Sequence, residues 1–253
     1  MARFFGGPGD NFRSGGGADD YFDGGAGDDT LVGNGGDDSL LGGFDNDVLD
    51  GGTGDDLLKG DNGDDIIFDD GGFNDVFGGN GDDFIDVLGT STVFGEAGDD
   101  TVLGGKGDDQ IDGGSGKDQL FGYGGRDTIQ GGENADDITG GRGADVLSGS
   151  DGIDYFYFDR VADSRTGDAD RITDLDDSDD VIFLRRIDAD TTHSGNQAFV
   201  LVDELSGDAG ELALRYDAGS NRTFLEGDVD GDGEADLTIV LDGDHRDFDS
   251  FVL

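Results

Sequence analysis

From Gly6 to Tyr157 an apolar residue recurs at every ninth position. Each sits in a three-residue segment x-U-x, separated from the next by a turn rich in glycine and aspartate. GGAGDDTLV at 24–32, GGTGDDLLK at 51–59, GGNGDDFID at 78–86, GGKGDDQID at 104–112 and GGRGADVLS at 140–148 show the unit most plainly. Nine nonapeptides run from 6 to 86, the eight-residue VLGTSTVF follows at 87–94, and seven more reach 157. The eighth position is apolar in every unit but the first, where it is Arg13. A period of nine matches neither an amphipathic helix nor a long alternating strand, and this glycine density excludes a helix in any case. The x-U-x half predicts a short strand with one inward side chain. The G-G-x-G-x-D half predicts a turn whose glycines supply left-handed backbone. Two units make a coil of 18 residues, and successive coils stack as parallel strands ~4.8 Å apart. Leu31, Leu49, Ile67 and Ile85 then line one inner sheet, and Leu40, Leu58 and Val76 the facing one.

Stacking also sets the sixth position of each turn over the sixth position one coil on. That position is Asp in 14 of the 17 units; Asn11, Asn74 and Thr92 are the exceptions. All but six of the 62 acidic residues are Asp, 52 residues are Gly, and the formal charge is −47. Asp is a poor helix former that favours turns and offers a short carboxylate. Two carboxylates ~4 Å apart repel by roughly 4 kcal/mol at an effective dielectric of 20. Burying one leucine returns only about 1.5–3 kcal/mol. The metal-free roll is therefore expected to be unfolded, and a divalent cation between the turns reverses the sign. Ligation by carboxylates and backbone carbonyls alone suits calcium better than magnesium or zinc. The same charge argues against nucleic acid and anionic membranes as partners. No apolar run approaches the ~20 residues of a membrane-spanning helix. The absence of Cys removes disulfides, thiolate metal sites and thiol nucleophiles.

The repeat GGxGxDxUx resembles that of the RTX (hemolysin-type) calcium-binding proteins across residues 6–157. The resemblance implies an all-β fold, a right-handed parallel β-roll of 18-residue coils. It makes metal ligands of Asp29, Asp47, Asp65, Asp83, Asp100, Asp118, Asp136 and Asp154 in one column of turns. In the other column it makes ligands of Asp20, Asp38, Asp56, Asp109, Asp127 and Asp145. Each ion is expected to take carbonyls two and four of one turn, carbonyls one and three of the next, and both aspartates. Gly25 and Gly27 would thus join Gly42 and Phe44, with Asp29 and Asp47. By the same rule Gly105 and Gly107 join Gly122 and Gly124, and Gly114 and Gly116 join Gly131 and Glu133; Gly52, Gly54, Gly78 and Asn80 serve in their own turns. Adjacent aspartate pairs give about eleven ions, with a break on one edge near Asn74–Thr92.

After Tyr157 the nonapeptides stop, so residues 1–157 and 158–253 are read as a roll and a cap. Apolar runs at 155–158, 181–184, 198–202, 211–216 and 237–240 predict strands of a β-sandwich-like region that closes the open end of the roll. The runs DYFYFD, DRITDLDDSDDVIFL and TFLEGDVDGDGEADLTI resemble the C-terminal domain of serralysin-type secreted metalloproteases. Within the last run, DVDGDGEAD opens like an EF-hand loop. Asp228, Asp230, Asp232 and Asp236 would give carboxylates and Glu234 a carbonyl, with Gly233 at the bend; Ile239 replaces the bidentate Glu. One further calcium is expected there. The start, MARFFGGPGD, lacks the apolar stretch of a secretory leader, and DFDSFVL at 247–253 resembles the export signal of type I secretion substrates. The expected partners are calcium and that secretion machinery, and the expected location is extracellular. Oligomeric state is not legible.

Catalysis is not expected. Neither His193 nor His245 belongs to an H-E-x-x-H motif, and no G-x-S-x-G is present. Both histidines are expected at the surface. The alternatives to a stand-alone calcium-binding protein are a non-catalytic part of a larger exoenzyme and a calcium-dependent structural or adhesive surface protein.

Overall fold

The computed structural model describes Met1–Leu253 and contains no α-helix. Two sheets face each other, one of 14 strands and one of 11, and each coil contributes one strand to each sheet. Strands pair in parallel one coil apart: Leu31 aligns with Leu49 in the smaller sheet and Leu40 with Leu58 in the larger. Inward residues from Phe22 and Leu31 through Leu147 and Phe156 are fully or almost fully buried. They form one continuous apolar file between the sheets. The expected division of the core between two sheets is therefore what the chain adopts.

The eight-residue unit corrects one expectation. Ser91 aligns with Asn74, Thr92 with Asp75 and Val93 with Val76. The missing residue therefore falls in the turn, not the strand, and Ser91 rather than Thr92 takes the aspartate position. Val93, not Phe94, points into the core, where it is fully buried. Losing a strand residue would have turned every later side chain to the wrong face; shortening a turn does not.

Beyond Tyr157 both sheets continue. Asp170–Ile172 pairs with Val146–Asp151, and Val181–Phe183 with Tyr155–Tyr157, as a further coil with longer loops. A single 3-10 turn, Val161–Asp163, lies in the first of these loops. Leu237–Asp242 then joins Asp170–Ile172 in parallel. Arg222–Asp228 and Glu211–Asp217 follow antiparallel, and Val200–Val202 forms the edge. Phe251–Val252 closes the smaller sheet against Val181–Phe183. Asp170–Ile172, Arg222–Asp228 and Phe251–Val252 were not among the expected strands. The opposite end is open: Arg13 lies 4.1 Å over the Phe4 ring instead of an apolar inward residue. There Phe5 is 65% and Phe12 68% exposed.

Candidate metal centres

The sixth-position aspartates stack as two ladders on opposite edges of the roll, and the two oxygens of each carboxylate have different surroundings. Oδ1 accepts the backbone N–H of the equivalent residue one coil earlier. Asp29 N donates to Asp47 at 2.7 Å, Asp83 N to Asp100 at 2.8 Å and Asp136 N to Asp154 at 2.9 Å. In the second ladder Asp38 N donates to Asp56 at 2.7 Å and Asp109 N to Asp127 at 2.9 Å. The bond orients the carboxylate and leaves Oδ2 aimed into the space between turns. For Asp29, Asp38, Asp47, Asp56, Asp65, Asp83, Asp100, Asp109, Asp118, Asp127, Asp136, Asp145 and Asp154 that oxygen is buried without a donor. Asp20 differs, because Ala2 N and Gly16 N donate to its two oxygens. These bonds hold its carboxyl below the usual carboxylate range.

A buried acceptor without a donor costs about 1–3 kcal/mol, and more when charged. Burial accordingly pushes the ladder carboxyls from Asp38 onward to higher values, assisted by neighbouring like charges. Asp47 rises to about 7, and Asp83 and Asp127 to about 8. The first glycine of a turn shows what the space is made of. A Cβ on Gly24 would meet Asp29 Oδ2 and the Gly42 carbonyl, and one on Gly95 would meet Asp100 Oδ2 and the Gly113 carbonyl. Gly60 and Gly113 repeat the pattern with the Gly78 and Gly131 carbonyls. The cradle is bounded by oxygen, has no nitrogen or sulfur ligand, and is open only because glycine has no side chain. Such a donor set fits a hard divalent cation.

The other carbonyls named from the repeat lie in the same turns. Gly25, Gly27, Gly52, Gly54, Gly105, Gly114 and Gly116 all have positive φ. Several carbonyls already accept one bond: Gly52 from Asp70 N at 2.9 Å, Asn80 from Gly63 N at 2.8 Å, Gly122 from Gly124 N at 3.0 Å and Glu133 from Gly116 N at 3.2 Å. A carbonyl oxygen keeps a second lone pair for a metal. Phe44 and Gly107 stand at the equivalent places in their turns.

The ladders extend beyond the repeats. Asp145 N donates to Asp170 at 2.9 Å and Asp154 N to Asp180 at 3.0 Å. Asp170 is fully buried, its Oδ2 has no donor, and burial raises its carboxyl to about 9. The period of 18 gives no signal for either residue, since the offsets are 25 and 26. In the broken stretch Asn74 keeps the ladder bond, accepting from Asp56 N at 2.9 Å, and Ser91 N donates to Asp109 at 2.8 Å.

The second group lies in the loop joining Arg222–Asp228 to Leu237–Asp242. Carboxylate oxygens of Asp228, Asp230 and Asp236 fall within 4.8 Å of one another, whereas the Asp232 carboxylate lies outside this group; Glu234, expected to give a carbonyl, stands in the same loop. Asp228 accepts N–H bonds from Gly231 at 2.7 Å and Gly233 at 2.9 Å, which wrap the loop around its carboxylate. The histidines divide. His193 is exposed, as expected, but His245 is buried, bonded to Asp177 and to the Asp242 carbonyl. Its place under the cap loops makes it a packing residue.

Residues 5–40, 14–49, 23–58, 41–68, 59–89, 87–120 and 121–156 match the family described as RTX calcium-binding nonapeptide repeat. No curated protein matches the chain. Among solved structures, the AlgE6R3 subunit of the Azotobacter vinelandii mannuronan C5-epimerase is 33% identical over 61% of this chain and 77% of its own, with a TM-score of 0.33. The AlgE6R2 subunit of the same enzyme is 25% identical over 73% and 91%, with a TM-score of 0.36. Extracellular lipase LipA from Serratia marcescens is 18% identical over 90% of this chain and 40% of that one, with a TM-score of 0.39.

Proposed function

Because this chain belongs to the RTX calcium-binding nonapeptide repeat family, we propose that it is a secreted protein that crosses a type I secretion machinery unfolded and folds when extracellular calcium enters its turns. The observation that carries the proposal is the run of buried aspartate Oδ2 atoms without donors. With metal absent, these atoms are a repeated electrostatic penalty in a chain of charge −47. A cation between each pair of turns converts the penalty into the main cohesive interaction of the roll. Calcium thus acts as a structural element, and no catalytic step is assigned to the chain.

The aspartates of both ladders and the turn carbonyls would hold the ions in the roll, about eleven by the pairing of turns. Asp228, Asp230 and Asp236 would hold one more in the cap. Export in the unfolded state is supported by the fate of the last residues. Phe251–Val252 pairs with Val181–Phe183 in the smaller sheet, so a signal there would be free of that pairing only before folding. The boundary near residue 157 is proposed as the division between roll and cap.

Circular dichroism during a calcium titration, with ions counted by native mass spectrometry, tests the proposal. β-structure should appear with calcium and vanish with chelator. A chelated, metal-free chain that kept the folded spectrum would overturn it.

A further inference from the structure

The ladder on the larger sheet loses its aspartate at Asn74 and Ser91, so the repeat assigns no ion to any of the three spaces from Asp56 to Asp109, and the first two of these differ in their side chains. Asp69 occupies the position where a regular turn has its first glycine. Its Oδ1 accepts the Gly71 N–H at 2.8 Å and the Asn74 side-chain amide at 2.6 Å. That leaves Oδ2 without a donor on a residue only 2% exposed; Asp56, 3% exposed, has its own Oδ2 in the same condition. A single Cβ placed on Gly51 would touch both oxygens, where in regular turns it would touch one aspartate and a carbonyl. Two changes therefore offset each other. Asn74 removes a carboxylate from the ladder and Asp69 supplies one at the first position, so the space between turns 51–56 and 69–74 still has two. The Asn74 amide bond holds the new carboxylate in place. One coil on, the residue aligned with Asp69 is Val87, fully buried in the apolar core, and that space has no such pair.

We infer that Asp56 and Asp69 hold an additional calcium ion between turns 51–56 and 69–74, outside the ladder prescribed by the repeat. The inference rests on the calcium-filled roll proposed above and adds one ion to it. The ion balances two facing carboxylates that have no donor between them, and the turn carbonyls supply further oxygens, since calcium takes 6–8. The alternative occupant is a single proton shared by the pair.

Native mass spectrometry of the full chain at saturating calcium tests the assignment. Asp69→Asn should bind one ion fewer than the parent, and Asp70→Asn, which removes an exposed neighbouring charge, should keep the parent count. The double variant Asp69→Gly with Asn74→Asp rebuilds the regular ladder and guards against misfolding of the single variant; it should match the parent. An unchanged count in folded Asp69→Asn, or one ion gained by the double variant, overturns the inference in favour of the shared proton. A parent chain that bound no calcium would instead defeat the proposed function, a separate and distinguishable result.

Discussion

Asp118→Asn should move the stability of the roll in opposite directions depending on calcium. Oδ1 of Asp118 accepts the Asp100 N–H at 2.8 Å, and an amide oxygen can take over that role. Oδ2 faces a cradle that includes the Gly131 carbonyl. An amide NH2 there replaces a charged acceptor with a donor. With calcium present the space loses a charged ligand. If free calcium stands at 100 times the dissociation constant, the lost linkage is about 2.7 kcal/mol. At 2–4 °C per kcal/mol for a chain of this size, that lowers Tm by roughly 5–10 °C. In chelator the same change removes a buried, donor-less charge and stabilises the folded form by about 1–3 kcal/mol. Thermal unfolding followed by circular dichroism reads the first effect. The second is read in chelator as a fall in the amount of a protecting osmolyte needed to induce folding. If both conditions shift in the same direction, the electrostatic account of the turns is wrong.

Acid should partly substitute for calcium. Asp83 and Asp127 rise to about 8 and Asp47 to about 7 in the metal-free fold, against an ordinary value of about 3.9. The folded chain therefore binds more protons than the unfolded one. This contribution is complete below about pH 4 and is lost as pH rises through 7–8. A calcium-free sample titrated from pH 8 to pH 4 should gain β-signal, and loss of signal on acidification would contradict the assignment. Gly95→Ala should cost one ion by native mass spectrometry, since its Cβ falls on Asp100 Oδ2 and the Gly113 carbonyl; an unchanged ion count would mean the cradle lies elsewhere. Leu58→Ala, at a fully buried position, should cost about 2–5 kcal/mol in urea unfolding while leaving the ion count intact. Coupled loss of ions would show that packing and metal binding are not separable.

The architecture of residues 6–157 could be read from spacing because one apolar residue and one aspartate per nine carry nearly all the physics. What escaped has local causes. Counting by nines assigns the gap in VLGTSTVF to a fixed position, whereas the register of Val93 with Val76 puts it in the turn and gives Ser91 the ladder place. Asp170 and Asp180 join the ladders across loops that break the period. Asp69 lay outside the aspartate column, and only its side chain folding back toward Asn74 brings it beside Asp56. In the cap, Arg222–Asp228 carries charged residues at both ends, and its pairing with both neighbours, rather than an apolar run, makes it a strand. His245 is buried by a contact with Asp177, 68 residues away, which no local pattern announces.

The two ends of the roll are unequal. The far end is sealed by antiparallel strands and by Phe248 and Leu241 in the core. At the near end, Arg13 stands at the inward position and Phe5 and Phe12 are exposed. Unravelling should therefore begin at the amino-terminal coil and advance like a zip toward the cap. Amide exchange is expected to show that polarity, with protection climbing steadily from Phe22 toward Leu147 and ions escaping in sequence.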